Sequence, residues 1–190
     1  MQIKFSVNRR IFNPRMEQIF VATESSDCLI RNCFLNTRPF EMSIVDNTGN
    51  LVMHIERPLK CDDCCWFCCM QELEMFDPAG EKLYSVEQEW AFFNNKIALK
   101  DGGGEVLMRI HGEVCVIRCC SDRIFSILTP DLNQIGEIRK KWSGCGKETF
   151  TEADNFTIEF PVASDSKTKM GILGATILVN YMYFEKKGGE

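Results

Sequence analysis

The sequence predicts a mainly β fold: an antiparallel barrel closed around one hydrophobic helix near the C-terminus. Three observations carry this. A hairpin pattern recurs along most of the chain. One late segment, 170–184, is free of charge. Composition is that of a folded domain with a real core, with 45% hydrophobic and 26% charged residues in 190. Residues 1–190 are accordingly expected to form a single domain.

Each hairpin reads as an alternating apolar segment, a turn of Asp, Asn, Gly or Pro, and a second alternating segment. "IKFSVNRRIFNPRMEQIFVA" turns near Asn13 and Pro14. "FEMSIVDNTGNLVMHIE" turns at Asp46 to Gly49, "QELEMFDPAGEKLYSVEQ" at Asp77 to Gly80, and "NNKIALKDGGGEVLMRIHG" at Asp101 to Gly104. "IFSILTPDLNQIGEIRKKW" turns around Pro130 to Gln134. Asp and Asn bond nearby backbone in such turns, and Gly supplies positive φ. Alternation marks strands buried on one face. Five successive hairpins imply a meander of about ten strands or more. A further strand, "NFTIEF", sets Phe156, Ile158 and Phe160 on one face before Pro161.

Then comes "KMGILGATILVNYMYFE", in which only Thr176 and Asn180 are clearly polar. A helix apolar on all sides must be wrapped by protein or by lipid. At about fifteen residues the run is short of the roughly twenty that a span needs. The expected central helix therefore covers 170–184, with Met170, Gly174, Leu178, Asn180 and Phe184 along it. Asn180 is expected to find a backbone partner inside the barrel.

The net charge of -5 excludes nucleic-acid binding by the surface as a whole and leaves only local basic patches. "MQIKFSVNRR" has no apolar signal region, and an odd cysteine count of 11 precludes a fully paired disulfide framework. A reducing compartment is expected. With His54 and His111 as the 2 histidines, and no GxSxG, P-loop or HExxH pattern, no catalytic constellation is present and no enzyme activity is expected. Both histidines read as structural.

"RPFEMSIVDNTGN", "ERPLKCDDCCWFCCMQELE", "KKWSG", "FTEADNFTIEFP" and "GILGATILVNYMYFE" together resemble the phospholipid scramblase family, over nearly the whole chain. That family is related to Tubby-like proteins, so the resemblance implies a Tubby-like β-barrel around a central helix. It also implies calcium-responsive, bidirectional movement of phospholipids between leaflets by a protein acyl-anchored at the cytoplasmic face of the plasma membrane. The alternative reading is a membrane-tethered module that binds phosphoinositides or proteins and moves to the nucleus when not acylated. The start of the chain departs from the family pattern. It has 6 prolines and no PxxP cluster, so the proline-rich arm is taken as absent and no SH3 or WW partners are expected. The same departure puts the family's first barrel strand in question.

The resemblance carries S-palmitoylation onto Cys61, Cys64, Cys65, Cys68 and Cys69. Two or more acyl chains anchor stably where one does not. Trp66 and Phe67 would sit at the lipid interface, with Arg57 and Lys60 meeting headgroups and Asp62 and Asp63 opposing them. Two other readings stay open. Cys61-x-x-Cys64 and Cys65-x-x-Cys68 have zinc-like spacing, for which Cys115, Cys119 and Cys120 are candidate distant ligands. The cluster is otherwise a set of unmodified thiols. Cys28, Cys33 and Cys145 read as packing residues.

The family's proposed calcium segment falls on residues 152–163. A good loop wants oxygen ligands at positions one, three, five and twelve and Gly at six. Here Glu152 and Asp154 fit, but Phe156, Thr157 and Ala163 do not. The segment reads as a barrel strand with acidic residues at its mouth, and weak Ca²⁺ binding would draw on Glu152, Asp154, Glu159 and Asp165. "GEIRKKWSG" matches the family's nuclear import signal. Arg139, Lys140 and Lys141 would meet an import receptor, contact phosphoinositide headgroups, or be a solvated strand end.

Overall fold

The computed structural model describes residues 2–6, 10–25, 39–60, 70–91, 95–112, 121–141, 155–162 and 164–184. Among the described residues twelve strands and one helix follow in order: β1 Gln2–Ser6, β2 Arg10–Phe12, β3 Gln18–Ser25, β4 Phe40–Asp46, β5 Leu51–Arg57 and β6 Glu72–Phe76. After them come β7 Lys82–Glu89, β8 Lys96–Asp101, β9 Val106–Gly112, β10 Arg123–Leu128, β11 Gln134–Lys140, β12 Asn155–Glu159 and the helix α1, Ser166–Tyr183. Each strand pairs antiparallel with its sequence neighbours, and β1 pairs with both β2 and β12, closing the barrel. The ring is therefore complete without a strand from before residue 2.

Five of the connections are tight turns with one shared hydrogen-bond scheme. In the turn after β4, Asp46 N–H donates to Asn50 O and Gly49 N–H to Asp46 O; the turns at Asn13, Asp77, Asp101 and Thr129 repeat this. Asp46, Asp77, Asp101 and Asn13 also accept backbone N–H groups on their side-chain oxygens. The residue that closes each turn takes positive φ: Gly49, Gly80, Gly104, Met16 and Leu132. The last two carry side chains, at a position where Gly is the usual occupant.

Strand direction gives the barrel two unlike rims. All five tight turns, and the end of β12, lie on one rim. The connections 7–9, 26–39, 58–71, 90–95, 113–122 and 141–154 leave from the other.

Alternation is visible in the burial. Met53, Ile55 and Arg57 of β5, Leu73 and Met75 of β6, and Phe156 and Ile158 of β12 all face inward. One close approach depends on glycine: a Cβ at Gly136 in β11 would collide with the backbone carbonyl oxygen of Glu159 in β12.

α1 fills the interior. From Gly171 to Tyr181 every residue is buried. The helix starts four residues before the expected run because Asp165 caps it, its carboxylate accepting the N–H of Thr168 at 2.8 Å. The capping residue and the polar first turn escape a search for apolar residues. Polar residues inside are served unevenly. Thr176 donates to Ile172 O at 2.9 Å, whereas Asn180 Oδ1 has no hydrogen-bond partner among the described residues, contrary to expectation.

Candidate functional site

The connections that carry the cysteines all leave from the long-connection rim. Every cysteine of the chain lies in a connection that leaves from it: Cys28 and Cys33 between β3 and β4, the cluster Cys61–Cys69 between β5 and β6, Cys115, Cys119 and Cys120 between β9 and β10, and Cys145 between β11 and β12. All of them, with Trp66 and Phe67, lie outside the described residues. The strands that hold these connections are described, and they end on one side of the barrel.

The base of the cysteine-rich connection is clamped from within. Arg57, the last residue of β5, is buried; its Nη2 donates to Gln71 Oε1 at 2.7 Å. Gln71 exchanges bonds with Gln88 at the end of β7, through Gln71 N–H to Gln88 Oε1 at 3.1 Å and Gln88 N–H to Gln71 O at 2.8 Å. The guanidinium lies over the rings of Phe40 and Tyr181, which stack on each other at 4.3 Å between centroids. Tyr181 in turn donates its hydroxyl to Glu24 Oε2 at 2.6 Å. Outside the clamp, Lys60 pairs with Glu72 at 2.7 Å. The expectation that Arg57 meets lipid headgroups is thus corrected: it points into the barrel, where it lies over Phe40 of β4 and Tyr181 of α1, and Tyr181 in turn reaches Glu24 of β3. The inward parity of Met53, Ile55 and Arg57, and of Ala22 and Glu24, was the sequence signal for this cluster. Charged residues in phase with core positions are rare unless paired.

The basic stretch is split over two faces. Arg139 points outward and pairs with Glu137 at 2.6 Å, with Asp122 at 3.9 Å. Those carboxylates raise its pKa, the Glu137 hydrogen bond first. Lys140 turns the other way, its Nζ 4.0 Å from the centre of the Phe184 ring, at the C-terminal end of α1. A cation there also complements the helix dipole. Lys141 is exposed and Trp142 lies outside the described residues.

Of the calcium candidates, Glu152 and Asp154 lie outside the described residues. β12 occupies the middle of the segment, from Asn155 to Glu159, as extended backbone paired on both edges. Glu159 is exposed on it, beside Glu137. Asp165 is engaged as the helix cap, and the Thr168 hydrogen bonds lower its pKa. Among the described residues no three or more His, Cys, Asp or Glu side chains cluster as metal ligands.

His111 sits on β9 with its Nε2 buried and unbonded among the described residues; burial first, then Lys96, lowers its pKa. His54 lies on β5, 3.4 Å from Glu56. Among the described residues no helix is long and apolar enough to cross a membrane.

Compared with known families, the chain matches the model named Scramblase over residues 6–186. The chain belongs to the scramblase family. Phospholipid scramblase 1 of Mus musculus is 40% identical to it over 189 residues, 98% of this chain and 58% of that protein. Phospholipid scramblase 2 of Bos taurus is 40% identical over 99% of this chain and 65% of its own length. Phospholipid scramblase family member 5 of Homo sapiens is 35% identical over 92% of this chain and 65% of its own length. This scramblase-family chain thus spans less than two thirds of the length of these relatives. No solved structure matches it.

Proposed function

We propose that this scramblase-family barrel acts in the calcium-responsive movement of phospholipids between membrane leaflets, held by acyl chains at the cytoplasmic face of the plasma membrane. The observation that carries the reading is its 35–40% identity to proteins named phospholipid scramblases over nearly all of the chain. Palmitate on Cys61, Cys64, Cys65, Cys68 and Cys69 would anchor the long-connection rim, with the Arg57–Gln71 clamp limiting how far the anchor swings from the barrel. Multiple chains give the stable attachment that one does not. The convergence of all the cysteine-bearing connections on one rim also supports zinc bound by the cluster together with Cys115, Cys119 and Cys120.

The filled interior constrains the mechanism. Because α1 occupies the lumen, a headgroup has no route through the barrel and would have to cross along its outside, at disturbed lipid. The same feature favours a second reading, a tethered module that recognises phosphoinositides or proteins, with Arg139 and Lys141 contacting headgroups or an import receptor and the unacylated form entering the nucleus. Calcium binding through Glu152, Asp154, Glu159 and Asp165 would be weak, with a dissociation constant on the order of 10⁻⁴ M or above, since few carboxylates fall in register.

Liposomes containing the purified chain separate the two readings. Transfer of labelled lipid between leaflets, increased by calcium, supports the first; binding without transfer supports the second and refutes scrambling by this chain.

A further inference from the structure

Two of the five tight turns hold a bulky apolar residue where the other three hold glycine. In three of them the residue with positive φ is Gly49, Gly80 or Gly104, and a Cβ built there meets nothing within 4 Å. Yet the equivalent positions hold Met16 at φ 63 and Leu132 at φ 65, with 57% and 58% of their surface exposed. Non-glycine residues with positive φ, above all bulky ones, are strained and cluster where function requires them.

Their placement is not scattered. Around the ring, the β10–β11 turn is followed by the end of β12, then β1, then the β2–β3 turn and the β4–β5 turn. Val162, just past β12, is fully exposed, and Leu51 opens β5 beside the Met16 turn, to which Asn47 ties it by a bond to Gln18 O at 2.7 Å. Four of the six exposed large apolar residues found among the described residues thus stand along one half of the tight-turn rim. Leu132 and Met16 are separated by roughly 20 Å, four strand spacings. The opposite half carries Gly80, Glu81, Gly104 and Glu105 instead.

We propose that this half-rim is a membrane-inserting edge, in which Met16, Leu51, Leu132 and Val162 enter the headgroup–acyl boundary of a zwitterionic phospholipid bilayer. The tips together offer no more than roughly 300 Å², at about 100 Å² per aliphatic side chain, against about 800 Å² per partner in a stable protein interface. They are separate and convex, which suits a fluid layer and not a shaped protein surface. Around them Arg15, Lys167 and Lys169 are outnumbered by Glu17, Asp46, Asp131, Glu159 and Asp165, so the edge is net acidic and does not select anionic lipid. The proposal rests on the reading that this chain works at phospholipid membranes, and it adds an orientation. The two rims lie at opposite ends of strands mostly 5–8 residues long, roughly 17–26 Å along the strand. A barrel held by acyl chains at the long-connection rim therefore turns this edge toward an apposed bilayer.

The test is flotation of the unacylated full chain, expressed in bacteria, with phosphatidylcholine vesicles. The wild type should float. Met16→Gly combined with Leu132→Gly should weaken partition about tenfold or more, while the melting temperature holds or rises because the strain is relieved. Met16→Asn with Leu132→Asn, which keeps a residue tolerant of positive φ but polar, should bind as weakly. A wild type that does not float, or a glycine variant that floats equally well, overturns the proposal. So does a glycine variant that melts well below the wild type, since the two side chains would then be structural. Changing the cysteines to Ser in cells tests the acyl anchor separately, because the edge is intact in that variant.

Discussion

The position of α1 can be tested through one pair of residues, Gly174 and Met75. A Cβ built on Gly174 falls onto the sulfur of Met75, with Cε at 2.9 Å and Cγ at 3.4 Å. Met75 on β6 has no exposed surface, so its side chain has nowhere to retreat. Gly174→Leu adds four carbons at this contact. Overpacking of this kind costs about 1–3 kcal/mol and exceeds the helix propensity of just under about 1 kcal/mol that Leu gains over Gly. Met75→Ala alone should cost about 2–5 kcal/mol through the cavity it leaves. The double variant exchanges one volume for the other, and should be more stable than the sum of the single effects by at least about 1 kcal/mol. Urea unfolding of the chain in buffer without detergent, followed by far-ultraviolet circular dichroism, measures all four species. An unchanged midpoint for Gly174→Leu, or single effects that add, would mean that α1 does not pack against β6 in solution. A position for α1 in lipid would then be the better account.

Three further outcomes follow from the same structure. Ending the chain at Lys169 removes the buried run Gly171–Tyr181, so the remainder should not give a cooperatively melting barrel; a soluble truncated protein with a sharp calorimetric transition would refute a core role for the helix. Gly136→Ala drives a methyl group into the backbone of β12 and should destabilise by about 1–3 kcal/mol, a larger loss in melting temperature than Gly49→Ala, whose Cβ would meet open space, causes. His111 has a folded pKa below its usual 6.5, so the unfolded chain binds the proton more readily. Its contribution is complete above about 6.5 and is lost as pH falls through the folded value; His111→Gln should flatten the stability profile below pH 6.5, and an unchanged slope counts against the burial of its ring.

The cysteine-rich segment shows where sequence reading reaches its limit. Cys61–Cys69 announces itself by density, but nothing in the spacing groups it with Cys28, Cys33, Cys115 and Cys145. Their connections leave from one rim only because an even number of antiparallel strands separates them. Arg57 was misjudged for a related reason. Its position beside the cluster reads as a headgroup contact, whereas its parity in β5 turns it inward, onto Phe40 and Tyr181.

By itself the sequence determined the strands, their turns and the identity of the core helix. Those rest on local physics: period-two alternation, Asp and Asn bonding their own backbone in the turns, and a run too apolar to face water. Tertiary structure alone decided the closure through β1, the two unlike rims and the buried cluster of Glu24, Arg57, Gln71 and Tyr181. Tyr181 and Glu24 lie 157 residues apart, and Leu132 and Met16 come to share one half of a rim only when the ring is closed. No window of sequence contains such pairs, because their proximity is set by strand order and not by chain distance.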